Sequence, residues 1–105
     1  MGMEGQAVDA EGYLIEPKSW DEDWARGAAL AENIALTDEH WAVIRFMRAF
    51  YDERGLPPDA RFVIRFLSQD RGAGRNRLFE LFLYGYVRQA CRIAGMRRPR
   101  IWSTG

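Results

Sequence analysis

Cys91 is the only cysteine in the 105-residue chain, and its thiol is the one side chain suited to nucleophilic sulfur chemistry. Arg88 and Arg92 lie within one helical turn of it, and nearby guanidinium groups would stabilise a thiolate. The C-terminal end of a helix acts in the opposite direction, because its negative dipole disfavours an anion. Cys91 also shares helical spacing with apolar residues, which favours a small core residue instead. Those residues are Val87, Ala90 and Ala94.

Other chemistry finds little support in the sequence. A lone cysteine excludes an internal disulfide, and with His40 as the only histidine we expect no metal site and no cofactor. His40 could act as a general base, but its place in the first turn of a capped helix favours a local packing role. Gly72–Gly74 lacks the lysine of a phosphate-binding loop. No independent catalytic site is therefore evident.

Charge divides the chain into two halves of opposite sign. Residues 1–53 hold 12 acidic and 4 basic residues, a balance of −8, whereas residues 54–105 hold 3 and 11, a balance of +8. The basic half predicts either a surface for an anionic or acidic partner, or a fold in which the two halves neutralise each other. The candidate anion-binding residues are Arg88, Arg92, Arg97, Arg98 and Arg100.

Capping signals predict about five short helices. Ser19 and Glu22 form a capping box that should begin the first helix, and Thr37 should cap a central helix that Gly55 ends. Pro58 suits the first position of the third helix, and Gly95 suits the position after the last. The fourth and fifth helices are predicted at Leu78–Leu83 and Val87–Ala94. Along the central helix, Arg45, Arg48 and Asp52 form a narrow polar stripe.

The organisation follows from these signals. With 48% hydrophobic and 29% charged residues, the chain has the composition of a globular protein, and its length fits one domain spanning residues 1–105. We expect a hairpin or irregular arm at 1–15, a helical core at 19–95 and a mobile arm at 96–105. No secretion signal or membrane-spanning run is apparent, so a cytoplasmic location without membrane contact is expected.

The chain resembles the DsrC/TusE family over nearly its whole length. The matching segments, in unchanged order, are Asp9–Leu14, Trp20, Leu36–Phe46, Phe50–Tyr51, Pro58 with Arg61, Leu81–Phe82 and Gln89–Gly95. The resemblance implies a mainly α fold, a small orthogonal bundle with a short N-terminal β element and a flexible C-terminal arm. It also implies sulfur trafficking: TusE members pass persulfide sulfur toward tRNA thiolation, and DsrC members work with dissimilatory sulfite reductase.

The family's sulfur chemistry uses up to two cysteines, and this chain departs from that pattern. The helix cysteine of DsrC-type members matches Cys91, but the arm cysteine falls on Trp102, and two usual prolines are replaced by Leu83 and Tyr86. Since exchange between two thiols is needed to form and resolve a disulfide, one molecule cannot complete it alone. The resemblance therefore implies a sulfurtransferase-like carrier at most, with any persulfide on Cys91.

These inferences predict a protein of sulfur metabolism that docks on partners in an accessory or regulatory role. The partners implied by the resemblance are relay proteins of the TusBCD/DsrEFH type or sulfite reductase subunits. A full sulfur carrier is one alternative. A second is a helix-turn-helix DNA-binding regulator, in which Arg61 and Arg65 would contact DNA from the helix after the 55–58 turn.

Overall fold

Two antiparallel segments and a single helical turn precede the first helix. The computed structural model describes residues 7–74 and 76–97. A bridge joins Val8 to Leu14, and the Asp9 carboxylate accepts from the backbone N–H groups of Glu11, at 2.9 Å, and Tyr13, at 3.0 Å. A 3₁₀ turn follows at Pro17–Ser19. The hairpin-like segment agrees with the sequence-based prediction, and it places Leu14, which is 1% exposed, in the interior.

Five helices hold nearly all of the regular secondary structure among the described residues, which confirms the mainly α prediction. They are α1 (Glu22–Ala31), α2 (Asp38–Arg54), α3 (Ala60–Arg65), α4 (Arg77–Leu81) and α5 (Tyr86–Cys91). The first residues after α3, Phe66–Asp70, form a π-helical extension of it, and α5 is itself π-helical.

The start of α1 differs from the prediction. Asp21 is the N-cap, and its carboxylate accepts from the backbone N–H of Trp24 at 2.8 Å. Ser19 instead ends the 3₁₀ turn, where its hydroxyl donates to the carbonyl of Glu16 at 2.7 Å. The predicted capping box at Ser19 and Glu22 was therefore wrong. Both residues are good caps, and a 3₁₀ turn begun by Pro17 decides between them.

The central helix α2 begins and ends where its sequence predicts. Thr37 caps it by accepting from the N–H of His40, and Gly55 ends it in the left-handed conformation, with φ of 74°. Its inward face is formed by Val43, Ile44 and Met47, each 0% exposed. Burying side chains of this size stabilises the fold by about 1.5 to 3 kcal/mol each, so the inward face of α2 is a substantial part of the core.

The later boundaries required three corrections. Asp59 is the N-cap of α3 and Ala60 its first residue, so Pro58 precedes the helix instead of beginning it. The next helix, α4, ends at Leu81, so Leu83 is 77% exposed and not part of a buried helix. The last helix begins at Tyr86, one residue before its predicted start. Met96 is 0% exposed, so the core extends one residue into the predicted arm. Residues 98–105 of that arm lie outside the described chain.

Candidate functional site

The thiol of Cys91 is enclosed in the core. Cys91 is 0% exposed, as are Ala90 and Ala94 on the same face of the last helix. The hydroxyl of Tyr86 is its polar neighbour; Tyr86 is 2% exposed, and its O–H donates to the backbone carbonyl of Pro58. In this conformation the thiol is therefore not accessible to a sulfur donor.

Burial also controls the protonation of this thiol. It raises the pKa of Cys91 to about 12, although the neighbouring hydroxyl of Tyr86 acts in the lowering direction. Burial likewise raises the pKa of the Tyr86 hydroxyl. Because the thiolate is the nucleophile, a cysteine protonated at neutral pH is an unreactive one. The geometry thus agrees with the core residue that the spacing favoured.

The chain stays helical for two residues beyond α5, through Ile93, and then ends in a hydrogen-bonded turn. Gly95 adopts φ of 77°, its N–H donates to the carbonyl of Arg92 at 3.2 Å, and the N–H of Met96 donates to that of Cys91 at 2.9 Å. This pair of bonds is the Schellman motif, in which a left-handed residue, usually glycine, turns the chain out of a helix. The predicted role of Gly95 is confirmed.

Three side chains from the N-terminal half satisfy the carbonyls of the same turn. Trp24 donates its indole N–H to Arg92 at 2.9 Å, and Trp20 donates to Ile93 at 3.0 Å. Arg48 donates to the next carbonyl, that of Ala94, at 3.0 Å. We call Trp20, Trp24 and Arg48 the C-terminal clamp. The last carbonyls of a helix need partners, and here side chains distant in sequence supply them.

Arg48 contributes more to the fold than its place in a polar stripe predicted. Its other nitrogen donates to the carbonyl of Pro17 at 2.9 Å, and its guanidinium lies 4.7 Å from the ring centre of Trp20. Burial lowers the pKa of Arg48 because it disfavours the charged guanidinium, whereas the negative charge of Asp52 acts in the raising direction. Sequence reasoning missed the clamp; the available signal was an arginine on a helix that is apolar over most of its circumference.

The predicted anion-binding arginines have different surroundings. Arg92 pairs with Glu32 at 2.7 Å, with side chains 24% and 11% exposed, and Glu32 also accepts from the amide of Gln89 at 3.0 Å. Arg97 is exposed and donates to the carbonyl of Ile15 at 2.9 Å, and Arg88 is exposed. Arg92, a candidate anion-binding residue, is half-buried and already paired with a carboxylate of this chain. Arg98 and Arg100 lie outside the described residues.

Ion pairs join the acidic and basic halves of the chain. Besides Glu32 with Arg92, Glu39 accepts from the Nε of Arg77 at 2.8 Å. The Arg77 hydrogen bond lowers the pKa of the Glu39 carboxyl, and Arg77 also reaches Glu80 at 3.1 Å. Of the two explanations for the charge division, mutual neutralisation therefore accounts for part of it.

The two arginines proposed for DNA contact are exposed on the helix that follows the 55–58 turn. Arg61 pairs with Asp59 at 3.2 Å, and the guanidinium of Arg65 lies 6.0 Å from the ring centre of Phe62. The Arg61 backbone and side chain lower the pKa of the Asp59 carboxyl. Both cations thus interact with their own helix.

His40 has a local structural role. Its Nδ1 accepts from the backbone N–H of Thr37 at 3.1 Å, so the hydrogen is on Nε2, which donates to the carbonyl of Leu81 at 2.9 Å. The ring is 7% exposed and meets Phe82 edge to face, with centres 5.2 Å apart. With both nitrogens engaged, the histidine joins α2 to α4, as the packing interpretation predicted.

The described residues contain neither a candidate metal cluster nor a helix able to span a membrane. Over residues 7–74 and 76–97, acidic, histidine and cysteine side chains form no group of three that could hold a metal ion. In the same part of the chain, none of the helices combines the length and the apolar character needed to cross a bilayer.

Comparison with known proteins gives consistent relatives. A family model described as DsrC like protein matches residues 2–101. Sulfurtransferase TusE of Pectobacterium atrosepticum is 42% identical over 96 residues, covering 89% of this chain and 88% of the relative. The Sulfurtransferase TusE homolog of Haemophilus influenzae is 40% identical over 95 residues, and the match covers 88% of this chain and 87% of the relative.

Solved structures give the same result. The oxidized gamma-subunit of the dissimilatory sulfite reductase (DsrC) from Archaeoglobus fulgidus superposes with a TM-score of 0.78 at 31% identity, covering 90% of each chain. DsrC of Allochromatium vinosum gives 0.77 at 35% identity, covering 90% of this chain and 88% of that one. A chain in the crystal structure of dissimilatory sulfite reductase I gives 0.76 at 29%, with 90% and 88% covered. These comparisons give no support to a DNA-binding role.

Proposed function

The chain belongs to the DsrC-like protein family, and from that membership we propose that it docks on sulfur-metabolism partners in an accessory or regulatory role. It is a sulfur-relay family protein, as its relatives named sulfurtransferase TusE and its DsrC neighbours indicate. In this proposal any persulfide is carried on Cys91 alone. The partners are relay proteins of the TusBCD/DsrEFH type or subunits of sulfite reductase.

One observation carries the proposal: the single thiol of the chain is that of Cys91, and it is 0% exposed. In persulfide transfer, a thiolate attacks the outer sulfur of a donor persulfide. A new S–S bond forms, the donor S–S bond breaks and the donor leaves as a thiolate. No net oxidant is needed, but an accessible thiolate is. A buried, protonated thiol opposes this step, whereas docking does not require an accessible thiol.

The choice of partners follows from the relatives. Relatives close to 40% identity carry the name sulfurtransferase TusE, and a similar chain occurs in a crystal of dissimilatory sulfite reductase I. A chain that keeps the same fold over 90% of its length has the scaffold on which such partners would dock. Binding to one of the two classes is therefore the expected activity.

The carrier part of the proposal is tested by mass spectrometry after incubation with glutathione persulfide. We expect no stoichiometric gain of about 32 Da, the mass of one sulfur atom, on the native protein. The same incubation in urea should give the adduct, and Cys91→Ser should give none in either condition. A full adduct on the native wild type that disappears in Cys91→Ser would establish carrier activity and overturn the proposal.

The docking part is tested separately by biolayer interferometry with the full-length chain. The purified TusBCD complex and purified dissimilatory sulfite reductase serve as two immobilised probes. Saturable binding to either one is the expected result, and it should persist in Cys91→Ser because docking does not use the thiol. Absence of binding to both probes would refute the docking role.

A further inference from the structure

Leu83 and Tyr84 form an exposed apolar pair in the turn between α4 and α5. Their exposed fractions are 77% and 72%. A single exposed leucine is ordinary on a protein surface, but two large apolar side chains beside a cleft are typical of an interaction site. The cleft, of about 350 Å³, lies between this turn and the segment that joins α1 to α2.

A buried side chain holds this turn in place. Gln89 is 1% exposed; its amide oxygen accepts from the backbone N–H of Tyr84 at 3.1 Å, and its amide nitrogen donates to Glu32 at 3.0 Å. Gly85 adds a bond from its N–H to the carbonyl of Phe82 at 3.0 Å. Burying an amide is costly unless its groups are paired, and here both are. The exposed pair is thus displayed on a fixed backbone, which lowers the entropic cost of binding.

The cleft beside the pair is acidic. Glu32 and Glu80 line it, and no lysine or arginine is among the described residues of its wall. Glu32 pairs with Arg92. Glu80, whose side chain is 61% exposed at the rim, shares the single positive charge of Arg77 with Glu39, so these three side chains together keep one negative charge. Ile34 and Leu81 add apolar wall. The charge and the apolar surface together fit a positively charged side chain flanked by apolar ones.

We propose that the surface formed by Leu83, Tyr84, Ile34 and Glu80, the Leu83 face, docks a partner protein through a lysine- or arginine-containing apolar segment. The cation would pair with Glu80 above the cleft, and its apolar neighbours would cover Leu83 and Tyr84. This inference rests on the proposed function, since it names the surface through which the chain docks.

The test compares variants in the biolayer experiment with the relay complex and the reductase. Leu83→Asp and Glu80→Lys should each weaken binding at least tenfold. Leu56→Asp is the matched control: Leu56 is 56% exposed and lies in the turn before α3, so its replacement should change affinity less than twofold. Circular dichroism confirms that each variant is folded. If the wild type binds and both face variants bind equally well, the Leu83 face is refuted and the docking function stands.

A second measurement separates the face from the identity of the partner. The probe is acetyl-Leu-Arg-Leu-amide, titrated into ¹⁵N-labelled full-length protein, with acetyl-Leu-Glu-Leu-amide as the control. Shift changes at residues 83, 84 and 80 with the arginine peptide alone support the face, even when neither purified complex binds. Equal shifts with both peptides, or none, overturn it. Self-association through the same residues, detected by sedimentation, would assign the face to a second copy and also overturn it.

Discussion

The indole of Trp20 occupies the space that a β-carbon on Gly95 would need. A β-carbon built on Gly95 would lie 2.3 Å from Cδ1 of Trp20 and 2.8 Å from its Cβ. The same indole donates to the carbonyl of Ile93. The residue that ends the Cys91 helix and the side chain that clamps that end therefore depend on each other, although they are far apart in sequence.

Replacing Gly95 by alanine is expected to destabilise the protein by roughly 2 kcal/mol or more, because the φ of 77° is unfavourable for alanine and the new methyl overlaps Trp20. Urea denaturation measures the loss. Gly27→Ala is the control: Gly27 lies inside α1 and a β-carbon there meets nothing within 4 Å, so this change should stabilise by about 0.5 to 1 kcal/mol. Equal effects of the two substitutions would contradict the explanation.

Removing the guanidinium of Arg48 is expected to cost roughly 2 to 4 kcal/mol. Arg48→Met keeps much of the apolar stem but leaves the carbonyls of Ala94 and Pro17 without their donor. Arg45→Met, one helical turn earlier on α2, is the comparison, since Arg45 is 66% exposed and pairs with Glu22 at 3.6 Å. That change should cost less than about 1 kcal/mol. Chemical denaturation of both variants decides, and similar losses would show that the clamp contributes little.

Titration of Cys91 predicts a loss of stability in alkali. Its folded-state pKa, about 12, is raised above the ordinary 9.0, so the unfolded chain releases the proton first as the pH increases. The protonated Cys91 thiol therefore makes its full contribution to the free energy of unfolding below about pH 9, and this contribution is lost as the pH rises from there toward 12. Cys91→Ala lacks this proton. We compare the free energies of unfolding of the wild type and Cys91→Ala at each pH. Their difference should be constant below pH 9 and fall above it, with a slope that approaches the release of one proton per molecule on unfolding. A constant difference up to pH 11 would contradict the buried, protonated thiol.

The position of the α1 cap predicts different effects for two neighbouring residues. Asp21→Ala removes the carboxylate that accepts from Trp24, and it should cost about 1 kcal/mol. Ser19→Ala removes a hydroxyl that donates to the carbonyl of Glu16, outside α1, and should cost less than half as much. Thermal unfolding of the two variants measures the difference. A larger loss for Ser19→Ala would restore the capping box first predicted there.

Local signals in the sequence predicted much of the helical organisation. Thr37 and Gly55 bound α2 as expected, because a side-chain acceptor and a left-handed glycine act within a few residues of the backbone they satisfy. The apolar period of α2 likewise predicted its buried face. Such features follow from short-range geometry, so they can be recognised without knowing the rest of the fold.

The surroundings of Cys91 were decided only by the tertiary structure. Spacing left the thiol between a core position and a reactive one, and the contacts that distinguish them come from Tyr86 and Pro58. Arg48 provides the second example: its pattern predicts a polar stripe, but packing directs it to carbonyls 31 and 46 residues away in sequence. Protonation, burial and long-range hydrogen bonds depend on which elements meet. These contacts are set by the packing of all the helices, so the residues near Cys91 in sequence are not enough to predict them.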